Sequence, residues 1–264
     1  MKLAAVGSNC IDFYRNLNGG TPFPGGGPVN MAVYTVRIGG QSAYIGPVGD
    51  DANGEVMRRA IREKGVDTSH LRTRHGSTAV TQVELVDGER VFGEYDEGVL
   101  ADYRLTDEDI DFIRQYDVVV CDLWGKVEGQ FPALKAAGLT TAFDGADRPG
   151  DPACQTALPY TDYLFFSTET GDTPALRVQM QHYAAAGPKL VVAMLGSDGS
   201  LCWDGERFHT FGIIPCEDLA DTMGAGDSYI AGFLYGITEG MTVDEAMELG
   251  ARTATDTLRY SGAW

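Results

Sequence analysis

Leu3-Ala-Ala-Val6, Pro28-Val-Asn-Met-Ala-Val-Tyr-Thr-Val36 and Ala43-Tyr-Ile-Gly-Pro-Val48 change hydrophobic period twice. The first is a short apolar run closed by Gly7, which reads as a buried strand. In the second, Val29, Ala32, Val33 and Val36 recur at i, i+3, i+4 and i+7, Pro28 stands near the first turn and Gly39-Gly40 ends the run. That is the pattern of an amphipathic helix. The third returns to an apolar strand. Strand, helix, strand with short connections is the unit of a parallel sheet covered on both faces.

The alternation continues along the chain. Asn53 is placed to open a helix through Val56, Ala60 and Ile61 that ends at Gly65. Thr106-Asp-Glu-Asp109 has capping-box form, Val118-Val-Val120 reads as a buried strand and Phe131 to Ala137 as a helix. Thr141-Ala-Phe143, Tyr163 to Phe166 and Leu190 to Leu195 are further strands, with a helix over Leu176 to Ala186. A turn at Trp203-Asp-Gly-Glu206 precedes two long helical patterns from near Ala225 and near Val243. One stretch breaks the rule. Ala79, Thr81, Val83 and Leu85 alternate with Val80, Gln82, Glu84 and Val86, Asp87-Gly88 supplies a turn, and Arg90 to Tyr95 returns. This predicts an antiparallel hairpin set over the main sheet as a lid. The expected architecture is α/β, a central mostly parallel sheet flanked by helices with a small β lid. No repeat or linker divides it, so residues 1–264 read as one domain with lid elements around 10–25 and 76–100.

Twenty Lys and Arg oppose 38 Asp and Glu, a net charge of −18. Such a field repels nucleic acid and anionic membrane, and no basic patch offsets it. The five cysteines include no C-x-x-C, and the four histidines no paired spacing. Both facts point to reduced thiols, no zinc and a cytoplasmic setting. No window approaches the length of a membrane span.

Ligands of open α/β sheets bind at the carboxyl ends of strands, so Gly-rich strand-to-helix junctions are where chemistry is expected. Three exist: Gly25-Gly-Gly-Pro-Val-Asn30, Leu195-Gly-Ser-Asp-Gly199 and Asp221-Thr-Met-Gly-Ala-Gly-Asp227. In the third, small residues at 224 to 226 let backbone N–H groups converge at a helix N-terminus, a natural anion site. Asp227 then sets a carboxylate beside that site. A protein that only held phosphate would avoid it, whereas phosphoryl transfer needs a group there to accept the proton of the attacking hydroxyl. The competing reading is that Asp227 caps the helix. No Lys or Arg lies between Arg207 and Arg252, so any phosphate here is held by N–H groups and by Mg²⁺ brought with a nucleotide. A Walker P-loop, a complete dinucleotide fingerprint and protein-kinase motifs are all absent.

The seven-residue loop, together with Gly26-Gly-Pro-Val-Asn30 and Val48-Gly-Asp-Asp-Ala-Asn-Gly54, resembles the signature set of the ribokinase-like (PfkB-type) sugar kinases, in the right order along the whole chain. The resemblance implies a ribokinase-like three-layer fold with a β lid over the sugar, and ATP with Mg²⁺ as phosphoryl donor. It leaves room for a monovalent cation such as K⁺. It casts Asp227 as the base and the N–H groups of Gly224, Ala225 and Gly226 as the anion hole. Asp12, Gly26, Gly27 and Asn30 would grip the sugar, while Gly196, Gly199 and Thr222, with Gly224 and Gly226, would line the nucleotide side. Asp12 read without the family is a solvated turn residue, and Asn30 a helix cap. Thr81-Gln-Val-Glu-Leu85, Arg90-Val-Phe-Gly-Glu-Tyr95 and Gly262-Ala-Trp264 are most similar to the branch that phosphorylates the 6-hydroxyl of fructoselysine. On that resemblance Gln82, Glu84 and Arg90 are candidates for reading the amino-acid part, with exposed cross-strand pairs as the alternative. Where many members carry Asn-x-x-Glu to organise Mg²⁺, this chain has Ser167-Thr-Glu-Thr170, leaving Glu169 as the candidate there. A kinase for another small sugar or a nucleoside shares the same loop, and a sugar sensor of this fold without turnover is the reading from a different class. The apolar side of the lid, Val80 and Val86, suggests a homodimer formed through it.

Overall fold

The computed structural model describes residues 1–86 and 89–264. The Asp87-Gly88 turn expected in the hairpin lies outside the described residues, as does the side chain of Arg90.

In chain order the strands are β1 (Lys2–Val6), β2 (Cys10–Tyr14), β3 (Thr21–Gly25), β4 (Gln41–Gly49), β5 (Leu71–Arg74), β6 (Val80–Val86) and β7 (Glu89–Asp96). They continue with β8 (Val118–Asp122), β9 (Thr140–Asp144), β10 (Tyr163–Ser167), β11 (Leu190–Met194), β12 (Ser200–Trp203) and β13 (Phe208–Phe211). The helices are α1 (Gly27–Arg37), α2 (Ala52–Glu63), α3 (Asp107–Ile113), α4 (Phe131–Ala136), α5 (Pro152–Ala157), α6 (Pro174–Ala186), α7 (Ala225–Thr238) and α8 (Val243–Thr257). Nine strands form the main sheet in the order β13-β12-β11-β10-β9-β8-β1-β4-β5. From β5 to β11 neighbouring strands run parallel, while β12 and β13 add an antiparallel edge.

The sheet is covered on both faces, as continuous apolar strands require. On one face Ile113, Phe131, Leu134, Ala157 and Met180 of α3 to α6 pack on Val119, Phe143 and Leu164. On the other, Val29 and Val33 of α1, Ile61 of α2, Phe233 of α7 and Met247 of α8 pack on Leu3, Val120 and Phe165. The chain leaves β1 toward β4 on one side and later returns to β8 on the other. That reversal opens a crevice at the carboxyl ends of β1 and β8, where doubly wound sheets bind ligands.

A second, four-stranded sheet in the order β3-β2-β6-β7 stands over this crevice. The predicted hairpin is β6 with β7, antiparallel, and β6 also lies parallel to β2. Its base is tied to the main sheet by Asp51, which accepts from Thr78 N at 2.9 Å and Thr78 Oγ1 at 2.6 Å. The same carboxylate caps α2 through Gly54 N at 2.8 Å, so the cap is Asp51 and the expectation of Asn53 is corrected. Asp50 receives Gly76 N at 2.9 Å. The Asp50-Asp51 pair of the family signature therefore joins the lid to the fold. The capping box at Thr106 and Asp109 is present, worth about 1 kcal/mol by general experience of such caps. Strand β5 and helix α5 carry no periodic signal in the sequence, being four and six residues long.

Candidate active site

Gly224 sits in the left-handed region at φ 75° and acts as the N-cap of α7, a position a Cβ would strain. The first i→i−4 bond of the helix runs from Ser228 N to Gly224 O at 2.9 Å. The amides before it precede the helical ladder, and that of Ala225 donates to Thr222 O at a long 3.3 Å. Asp227 does not cap. Its Oδ2 accepts from Asn30 Nδ2 at 2.7 Å. Burial raises its pKa to about 6, against the lowering effect of that hydrogen bond. A carboxylate held there is ionised at neutral pH yet basic enough to take a proton.

Asn30 is placed differently from a free sugar ligand. Its Oδ1 accepts from Trp264 Nε1 at 2.7 Å while its amide N–H holds Asp227, so the side chain is aligned from both ends. The segment before Trp264 is strapped to the catalytic loop as well. Asp221 accepts from Met223 N and from Gly262 N, each at 2.9 Å, and Tyr34 donates to Ala263 O.

Two polar cavities meet at this point. One, of 350 Å³, lies beneath the lid and is lined by Ser8, Asn9, Asp12, Gly26, Gly27, Thr81, Tyr95, Asp122 and Trp124. The other, of 430 Å³, is lined by Gly27, Asp122, Asp144, Ser167, Gly196, Gly226 and Asp227. Gly27, Asp122 and Trp124 belong to both. A Cβ on Gly27 would lie 3.0 Å from Asp122 Oδ2 and 3.4 Å from Asp227 Oδ1, so glycine lets the two carboxylates flank one point. Beyond Gly196 and Gly226 the surface turns apolar. A 440 Å³ cavity there is lined by Gly196, Gly199, Ile213, Ile214, Leu219, Thr222, Ala225 and Leu258, which suits a flat base and a sugar. A larger polar cavity of 560 Å³ opens at the opposite end of the strands between Lys2, Gln41, Arg62 and Tyr116, far from this chemistry.

Asp12, Gly26 and Gly27 thus line the cavity beneath the lid, and Gly196, Gly199 and Thr222 the apolar one. Gln82 and Glu84 line neither polar cavity. Side chains alternate along β6, so with Thr81 facing the cavity Gln82 turns away, where it accepts from Arg15 Nε at 2.9 Å as a pair within the lid. Glu84 is exposed. Glu169 is also exposed and lines neither cavity. Among the described residues no group of three His, Cys, Asp or Glu is arranged to hold a metal ion.

Sequence reading missed Ser8, Asp122, Trp124, Asp144 and Trp264. Asp122 and Asp144 end adjacent buried strands and pair in register. The carboxyl-end rule applied to Val118–Asp122 and Thr140–Asp144 was the available signal. Asp122 accepts from Ser8 Oγ at 2.6 Å and Trp124 N at 3.2 Å.

The family model for pfkB family carbohydrate kinases matches residues 2–264. The chain is a PfkB-family carbohydrate kinase. Among its relatives, the fructoselysine 6-kinase of Shigella flexneri is 47% identical over 262 residues, 99% of both chains. The fructosamine kinase FrlD of Bacillus subtilis is 31% identical, covering 100% of this chain and 93% of its own. In fold the kinase is similar to Arabidopsis thaliana ribokinase solved with ribose and ATP, with a TM-score of 0.88 at 24% identity over 99% of this chain and 93% of that one. It is a phosphotransferase with an alcohol acceptor, and no described helix is long and apolar enough to cross a membrane.

Proposed function

We propose that the kinase phosphorylates the 6-hydroxyl of fructoselysine or a related fructosamine, with residues 1–264 acting as one domain. The observation that carries the mechanism is Asp227, held by Asn30 at the open N-terminus of α7 where the sugar and phosphate cavities meet. Asp227 takes the proton of the sugar hydroxyl, and the amides of Gly224, Ala225 and Gly226 face the oxygens that gain charge. ATP, bound with Mg²⁺, supplies the phosphoryl group. The apolar cavity beside Gly196 and Gly199 suits its base, and the Mg²⁺ comes with the nucleotide phosphates. Asp12, Gly26 and Gly27 hold the sugar beneath the lid. The substrate assignment is supported by identity near one half to a fructoselysine 6-kinase over full length.

The test is a substrate panel. Purified protein with ATP, Mg²⁺ and fructoselysine should release ADP, measured by a coupled assay, at a higher kcat/KM than with fructose, ribose or a nucleoside. ADP from another panel member alone would overturn the substrate, and ADP from none would favour the sensor reading. The free thiols fit a reducing cytoplasm. The lid exposes Val86, Val91 and Tyr95, and not Val80, which packs against the core. These side chains support a homodimer through the lid, to be tested by light scattering, with a monomer at micromolar concentration as the refuting result.

A further inference from the structure

Phosphoryl transfer as just described gives Asp122 no task, and the fold gains nothing from burying its charge. The side chain is 2% exposed at the end of β8, on the floor shared by both polar cavities. Ser8 and the Trp124 amide hold it, but neither carries charge. The titratable groups that face it are Asp227 from α7, Asp144 from β9, Tyr44 from β4, Tyr95 from β7 and its neighbour Cys121. None of them is a cation at neutral pH. Neither cavity is lined by Lys, Arg or His among the described residues. Arg148 reaches the ring of Trp124 at 5.5 Å, but its charge is met by Asp147 and Asp151. A buried carboxylate without a counter-ion is expensive and marks a functional position. Asp12, on the same cavity, is half-buried, so water still screens it.

The missing cation fits the acceptor. A 1-amino-1-deoxy ketose carries a secondary amine that is protonated at neutral pH, whereas the parent ketose is uncharged. We propose that Asp122 is the residue by which the kinase selects its acceptor, its carboxylate meeting the ammonium group of a fructosamine and so favouring it over the neutral ketose. The inference rests on the fructosamine reading of the site. Trp124 and Tyr95, each 38% exposed, line the same cavity and supply apolar surface for the alkyl chain beside that ammonium.

The binding carries its own signature. Burial first, then the charge of Asp227, raise Asp122 to about 7 against the pull of the Ser8 hydrogen bond. Near that pH a good share of the free protein holds a proton there, and an arriving ammonium drives it off.

The experiment is calorimetric titration of nucleotide-free protein with fructoselysine and with fructose at pH 7, in two buffers of different ionisation enthalpy. Wild type should release roughly half a proton per fructoselysine bound and none per fructose, with release vanishing two pH units higher. Asp122→Asn should abolish the release and lower the ratio of kcat/KM for fructoselysine over fructose by about tenfold or more. Binding of fructoselysine to wild type without proton release at any pH from 5 to 8 overturns the inference, and needs no variant to fold. So does an Asp122→Asn enzyme that keeps the wild-type preference. If wild type turns over another sugar and not fructoselysine, the failure lies in the substrate reading.

Discussion

Among the described residues four aspartates are buried almost completely, and they fall into two pairs. Asp109 and Asp162 lie away from the cleft, and each is met by cations: Asp109 by His70 at 2.7 Å and Arg72 at 3.0 Å, Asp162 by Lys135 at 2.5 Å and Lys189 at 3.1 Å. Burial pushes both upward, but these partners and the hydrogen bonds from Thr106 and Thr141 outweigh it and leave both below the usual carboxylate range. Asp122 and Asp144 lie in the cleft and have no cation among the described residues. Burial dominates, and the charge of Asp227 adds to it, so both are raised, Asp144 well above normal. The same residue type at the same depth is thus structural where the chain supplies the counter-charge and poised for a ligand where it does not.

The largest effect expected is at Asp227. Asp227→Asn should lower kcat by a factor on the order of 10² or more while calorimetry still shows sugar binding. An unchanged rate would remove Asp227 from catalysis. Next comes stability, which separates the two pairs directly. Asp162→Asn should cost about 2 kcal/mol in urea unfolding at pH 7, since it removes the charge that meets half-buried Lys135 and strengthens the bond from the buried Thr141 amide. Asp144→Asn should cost nothing or stabilise. Equal losses at both sites would break the comparison. Their pH dependence has opposite sign. The folded pKa of Asp162 is depressed, so its contribution is present above the unfolded value near 3.8 and is lost as pH falls through the folded one. The folded pKa of Asp122 is raised to about 7, so the wild type loses stability as pH climbs from 3.8 toward 7, and Asp122→Asn should flatten that slope.

A third effect is on rate. With Asp227 raised to about 6, kcat/KM should fall about tenfold per pH unit below that value as the base takes up a proton. An acid limb near 4 would mean that water reaches the carboxylate in solution. The smallest is remote. Trp264→Phe keeps the ring but removes the N–H that fixes Asn30, and kcat should drop by roughly five- to tenfold with KM for ATP nearly unchanged. A change in KM for ATP alone would assign Trp264 to nucleotide binding instead.

These contrasts mark what was legible beforehand. The βα alternation and the helix after Gly224 were readable because a long amphipathic or continuous apolar run has one low-energy periodicity. Asp227 stood out because Gly-Ala-Gly before an acid sets a carboxylate at a helix N-terminus, and only its bond to Asn30 separates that from a helix cap. Gln82 pointed the wrong way because one position along a strand reverses a side chain, and only the pairing of β6 with β2 and β7 sets the phase. Asn53 lost to Asp51 because the cap also had to serve Thr78, 27 positions on in sequence.

The sequence by itself determined the α/β class and the Gly-rich turn that opens the helix at Ala225, both carried by local pattern. Only the tertiary structure decided that Asn30 serves Asp227, that Trp264 aligns Asn30, and that Asp122 lies buried without a cation. The reason is separation along the chain. Asn30 and Asp227 stand 197 positions apart, and Asn30 and Trp264 stand 234 apart. Interactions at that range follow from the order in which strands assemble, and no periodicity in the chain encodes them.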